Sequence, residues 1–523
     1  MVAINEVLEN AKTMEDKFDA YVHRMLCQCG ETRDYALGVV EGIKILSMYG
    51  LADIPLTPSI ADIAIEKMRV KLALRNRSYS HLISLPIKDA PMFELFGHVT
   101  RFASFASKEI ILKIVSWRAI RFAIENGINR HLPGIIVPLG VAYNKQGEIK
   151  KAYSLGNVAV LMAERFRSHK GDYACSKFAA YAGIMCQLES FKSVSETLLP
   201  CINDLKLVGN SEMALGCSLS YFNSCFAAGL PLTSLLDSNL IATEEFAERT
   251  EKPTFVATFQ MQRQFLLNLK KKSENPTEFN GEAFREEETL SKMDGAASKM
   301  TLRDSSSYRL QLAFIFWDED CMTNMLRILA VYPNSDVPLA RLYNRLCFVG
   351  LASFAMGKKR NNESFLELGE DCLSYFKRLA KLFSFNARPI YSLLKAMKYQ
   401  TKQAFEKAIE RCMESEVTHL KAIASERYGV FLLDHDDATL AEDYITSAYW
   451  FYCDWGAHAK AAKMKHDYLF LRSITRRSSF TKKLTMASSC RTDIQPSKDK
   501  RQSLSTRLLL SNPNFAVNFH KRK

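Results

Sequence analysis

Glycine and proline are scarce in this chain. Their 22 and 15 copies among 523 residues lie below average usage, and sheet-and-turn architectures need more of both. No run of about 18 apolar residues occurs, so no membrane-spanning helix is expected. The opening, MVAINEVLENAKTMEDKF, has no basic stretch followed by an apolar one, so no secretory leader is read. No paired-cysteine framework stands out either. The 13 cysteines are scattered, Cys175, Cys186, Cys201, Cys217 and Cys225 among them, mostly inside apolar helical patterns. They read as reduced core residues of a cytoplasmic protein. A folded basic face is also missing. Arg472–Lys523 carries 13 Lys and Arg against Asp493 and Asp499, giving +11 of the net +13, so residues 1–471 hold only +2. A nearly neutral body is not the footprint of a nucleic-acid-binding domain.

What is abundant is apolar periodicity, with 47% hydrophobic residues. Ile4, Val7, Leu8 and Ala11, then Phe18, Val22, Met25 and Leu26, predict one helix over 3–28, ended by Gly30. Asp34–Met48 is the next helix. Thr57-Pro58 reads as an N-cap with proline at the first helical position. Pro91, Pro133, Pro231, Pro253, Pro338 and Pro389 punctuate later helices in the same way. The helices fall into pairs of roughly 35–45 residues, such as His131–Arg167, Gly171–Val208 and Ser211–Glu248. A pair alone leaves an apolar side open, and the next pair covers it, which is the logic of a repeat array. The expected fold is all-α, a TPR-like α-solenoid of stacked helix pairs. The expected division is an N-terminal helical array (1–269), a charged linker with a short helix (270–307), a C-terminal helical array (308–471) and a disordered basic Ser-rich tail (472–523).

Local chemistry is sparse. A phosphate-binding loop needs four residues between its glycines, then Lys and Ser or Thr. Gly350 and Gly357 have six between them and Lys358-Lys359 after them, on a helical pattern; Gly357 reads as a helix C-cap. Cys27-Gln28-Cys29 lacks a second pair for zinc. In Asp434-His435-Asp436-Asp437, Asp436 or Asp437 reads as a cap for the helix from Ala438. Glu286-Glu287-Glu288 reads as a solvated face. His131, His419 and His458 have no partner at triad spacing. No enzymatic activity, catalytic residue, metal or cofactor is expected. In the tail, Ser479 and Ser503 follow basic residues and are candidate phosphosites, where phosphate would lower the local charge. The tail could also meet anionic surfaces electrostatically.

Ser447–Lys463, SAYWFYCDWGAHAKAAK, is the densest aromatic stretch. With Glu278–Phe284, Tyr308–Asp318, Leu155–Phe166 and Ile4-Asn5-Glu6, it resembles the TPR-like helical region of large multidomain signalling ATPases. There a kinase-like module and an AAA-type predicted ATPase precede the helices, and GAF or histidine-kinase modules sometimes follow. Tyr452, Trp455, Gly456, Ala457 and Lys460 match the closing signature; Ala461 stands where a larger aliphatic is expected. The resemblance covers about residues 1–470 and none of the catalytic modules. It implies a non-enzymatic scaffold for protein partners in signalling. The alternative is a regulatory or sensor arm, acting in trans or attached to an ATPase encoded upstream. The closing stretch itself is expected to be a buried interhelical contact.

Overall fold

The computed structural model describes residues 2–484, apart from 33, 52–53, 76, 233, 272–274, 294, 333–337, 416 and 483. The described residues are all-α, with isolated bridges and no strand. The first helices are α1 (Val2–Asn10), α2 (Met14–Thr32), α3 (Tyr35–Met48), α4 (Ile60–Ala73), α5 (Met92–Phe105) and α6 (Glu109–Asn126). Next come α7 (Leu132–Lys145), α8 (Ile149–Ala163), α9 (Lys170–Gly183), α10 (Phe191–Leu207), α11 (Ser211–Ala227), α12 (Ser234–Arg249) and α13 (Pro253–Lys270). A short α14 (Glu286–Ser291) leads to α15 (Gly295–Phe316), α16 (Glu319–Ala330), α17 (Leu339–Lys359) and α18 (Glu363–Lys381). The last are α19 (Ala387–Tyr399), α20 (Lys402–Glu414), α21 (Thr418–Leu433), α22 (Ala438–Trp455) and α23 (His458–Asp467).

Caps set many of these ends. The helix expected over 3–28 is two helices, because Thr13 accepts from the Asp16 N–H at 3.1 Å and restarts the chain. The second runs past Gly30 to Thr32. Ser59, not Thr57, starts α4: its hydroxyl and the Asp62 carboxylate satisfy each other's backbone N–H in a capping box. Asn210, Asp318, Asn362 and Thr401 cap α11, α16, α18 and α20 by the same donor logic.

Sequential helices pack as pairs: α7 with α8, α10 with α11, α17 with α18, α19 with α20 and α21 with α22. Alternate helices also meet, as α5, α7 and α9 do in succession, and α17, α19 and α21. Buried apolar residues form two cores. One runs from Phe18 to Met185, the other from Ala174 to Leu471, and α9 serves both through Ala180 and Ala174. The boundary between cores therefore lies near α9. Within 270–307, Phe279 and Phe284 are buried in the second core, and α15 begins at Gly295.

The second core is built around α17, buried at every position from Ala340 to Gly357. It touches α15, α16, α18 and α19, and also α9 and α11, far back in the chain. Two of its glycines permit close approach. A Cβ at Gly350 would lie 2.7 Å from Leu394 and 2.9 Å from Cys372, and one at Gly357 would lie 2.7 Å from Leu366. Gly357 is thus inside the helix, whose C-cap is Arg360, and is not itself the cap. These glycines fit neighbouring helices together and leave no loop to cradle a phosphate.

Long-range hydrogen bonds fasten the body. The Asn386 amide donates to the Cys186 carbonyl at 2.9 Å and the Glu189 carbonyl at 2.6 Å, and its oxygen accepts from Phe191 N–H at 3.1 Å. Tyr343 donates to Gln187 at 3.0 Å. Leu232 N–H donates to the Trp455 carbonyl at 2.6 Å.

Candidate partner-binding groove

The closing stretch is interior. Trp455 is fully buried, packed at 5.5 Å from Phe226 and 5.1 Å from His419. Gly456, at φ +91°, ends α22 in the left-handed region, and its N–H reaches back to the carbonyls of Tyr452 and Cys453. Ala457 and Ala461 are buried, so α23 packs closely. Lys460 is buried as well. Its ammonium meets Glu426 at 2.6 Å, Tyr452 donates to the same carboxylate at 2.8 Å, and Arg427 approaches it at 2.9 Å. Burial pushes the Glu426 carboxyl up, but Lys460 and Arg427 outweigh it and hold the group below its ordinary value. Arg427 also lies 3.8 Å over the Trp317 ring. This is a packed, charge-compensated junction, with no room for a ligand box.

The start of the tail belongs to this junction. Phe480 packs edge-on to Tyr444 at 5.0 Å, the buried Thr481 hydroxyl meets Ser447 at 2.9 Å, and Arg477 pairs with Asp454. Packing thus continues a little past residue 471: Ile474 and Leu484 lie against the second core, and Phe480 against Tyr444 of α22. Ser479 is exposed on this segment, whereas Ser503 and the rest of the basic tail from 485 lie outside the described residues.

Other sequence candidates are placed apart. Cys27 is exposed and Cys29 buried on α2. Asp437 sits at the N-cap of α22 without a side-chain cap bond and lies 3.9 Å from Lys402, while His435 turns back to the Phe431 carbonyl at 2.8 Å. Glu286 is no solvated face: it takes Arg309 at 2.9 Å and the Ser305 hydroxyl at 2.5 Å, while Glu287 and Glu288 are exposed. His131 approaches Asp172 at 3.6 Å, and His458 is exposed. His419 is buried and its pKa is pulled down to about 3 by burial. No group of three or more His, Cys, Asp or Glu among the described residues could hold a metal.

One open feature is a groove of about 910 Å³ walled by the end of α18, α19 and α20. Its lining is drawn from α19 and from the two helices on either side of it in sequence, α18 and α20. Its lining carries Lys377, Lys381, Arg388, Lys395, Lys407 and Arg411 against Glu406 and Glu410. Lys407 pairs with Glu410 at 2.5 Å, and Arg411 with Glu414 at 2.6 Å. No carboxylate of a described residue pairs with Lys377, Lys381, Arg388 or Lys395. Lys395 lies 5.8 Å from the ring centres of both Tyr391 and Tyr399, which also line the groove. At one end the loop between α18 and α19 leaves Phe383 and Phe385 exposed.

Sequence reasoning passed over these residues. Ile390, Leu393, Leu394 and Met397 give α19 its apolar stripe, and Arg388, Tyr391, Lys395 and Tyr399 fill the opposite one. Such a stripe reads as a solvated face until α18 and α20 wall it in. Comparison of the chain with protein-family models and with curated proteins finds no match.

Proposed function

We propose that the chain is a non-enzymatic, cytoplasmic helical scaffold that binds protein partners, in signalling, through a TPR-like stack of helix pairs. The observation that carries this reading is the groove on α18–α20, where four cations face solvent without a carboxylate partner beside two tyrosines. Uncompensated charge in a walled cleft raises the local concentration of oppositely charged partners and steers their approach. The succession α17, α19, α21, each with its flanking helix, supports the repeat reading. The alternative, suggested by the resemblance to the helical region of signalling ATPases, is a regulatory or sensor arm of a kinase or ATPase, acting in cis or in trans. None of the described helices is long and apolar enough to cross a membrane.

The test is quantitative affinity capture with the full chain and with a Lys381→Glu, Arg388→Glu, Lys395→Glu triple variant. A defined set of partners retained by the natural chain and lost by the variant, at unchanged melting temperature, is the expected result. An identical partner set from both chains would remove the groove from the function. Calorimetry with ATP is expected to show no binding, and micromolar binding would contradict the non-enzymatic reading.

A further inference from the structure

The groove has a register. Arg388 and Lys395 are seven residues apart on α19, which is close to two turns and about 10.5 Å along the axis. They stand on one face, with Tyr391 between them and Tyr399 beyond. A β-strand does not match this spacing with residues on one side, since alternate residues repeat at about 6.7 Å and every fourth at about 13 Å. A polyproline II helix does. It has three residues per turn and a rise of about 3.1 Å, so positions i and i+3 share a face about 9.3 Å apart. Aromatic-walled grooves are the surfaces on which such proline-bearing segments dock. The two tyrosines flank Lys395 and present rings on either side of it.

Resting on the protein-binding reading above, we propose that the groove takes an acidic, proline-bearing segment in the polyproline II conformation. Carboxylates three residues apart meet Arg388 and Lys395, and the residues between them lie on Tyr391. Lys377 and Lys381, about 6 Å apart along α18, form a second row that accepts a further acidic side chain. Phe383 and Phe385 receive an apolar residue at the Arg388 end. A peptide fits better than a polyphosphate chain, because Glu406 and Glu410 share the lining and repel evenly spaced phosphates.

Fluorescence anisotropy with the full chain tests this. Labelled peptides of one composition would carry two glutamates at i,i+2, i,i+3 or i,i+4 around a proline, beside a single-stranded oligonucleotide. The i,i+3 peptide is expected to bind on the order of tenfold more tightly than its permutations. Arg388→Glu and Lys395→Glu should each weaken it by a similar factor, with melting unchanged. Equal binding of all three peptides, abolished by the charge reversals, overturns the register and leaves the protein-binding groove standing. Tighter oligonucleotide than peptide binding, lost in the same variants, overturns both. Peptide binding indifferent to the variants, or no peptide binding at all, overturns the proposal, and the capture experiment then decides the groove's role on its own.

Discussion

The amino-terminal core, from Phe18 to Met185, is tied by bonds such as Arg165 to Ile83, 82 residues apart, while the core from Ala174 to Leu471 is tied by bonds such as Asn386 to Cys186, 200 residues apart. In the first, Glu66 on α4 collects Arg69, Arg118 and Arg121 at 3.2–3.3 Å, and Arg165 reaches back to the Ile83 and Leu85 carbonyls. In the second, α17 is enclosed by helices from both directions, Asn386 holds the turn at Cys186–Phe191, and Trp455 meets Phe226 and Leu232. A stack of nearest neighbours can lose structure unit by unit. A body closed by distant segments must lose both sides of each closure together, so it should open as one cooperative unit.

The strongest way to break this comparison is to remove a buried indole from each core. Trp455→Ala should destabilise the body by about 3–5 kcal/mol, the usual range for a large buried aromatic. Its hydrogen-exchange protection should fall together over α11, α17 and α21–α23. Trp117→Ala removes an equally buried ring from α6, yet exchange should rise in α3–α8 with α17–α22 still protected. A single shared transition in both variants would erase the distinction between the cores.

Asn386→Ala comes next. It leaves the Cys186 and Glu189 carbonyls and the Phe191 N–H without their partner, and buried groups left unpaired cost about 1–3 kcal/mol. Chemical denaturation should show the lower midpoint, with faster exchange at 186–191. Unchanged exchange there would mean that this closure does not hold the body together.

How much of this was legible beforehand follows from the range of each interaction. The all-α class and many helix positions were readable, because period and punctuation are local: Asp34 caps α3, and Pro253 opens α13. The Thr13 restart was missed because the apolar stripe runs straight through it. The closing block was recognisable as a packed junction, but Lys460 was visible only as part of a signature. Its partner Glu426 is 34 residues away, and no spacing rule joins them. The closures through Asn386 and the walls of the groove depend on where whole helices settle, and a one-dimensional pattern does not carry that.

Acid separates the cores by a smaller margin. Each has a histidine whose pKa is pulled down: half-buried His98 to about 4, by desolvation and then by Arg101 against the opposing Glu94, and buried His419 to about 3, by burial. A depressed folded-state pKa means that the unfolded chain binds the proton more readily. Stability is therefore fully present above about 6.5, the unfolded value, and is lost as pH falls towards the folded values. For His419 the loss is about 2 kcal/mol at pH 5. A His419→Leu variant should flatten the pH dependence of the body's melting between 7 and 5 and leave that of the amino-terminal core alone, whereas His98→Leu should do the reverse. Parallel shifts in both regions would show that the two cores melt as one.

The smallest expected effect sharpens the comparison by its absence. Lys395 is half-exposed on α19, with its ammonium near two tyrosine rings and no carboxylate partner. Lys395→Glu should change stability by no more than about 0.5 kcal/mol, as surface substitutions away from buried networks do. The Lys460 ammonium, only 3% exposed on its side chain and bonded to Glu426, is the internal control. Lys460→Met strands the Tyr452 and Glu426 arrangement with Arg427 alone and should lower the melting temperature measurably. If Lys395→Glu destabilised the chain as much as Lys460→Met, the groove cations would be structural members of the body. Stability unmoved at 395 and reduced at 460 would leave the charge of α19 without a folding role, in contrast to the buried ammonium of Lys460.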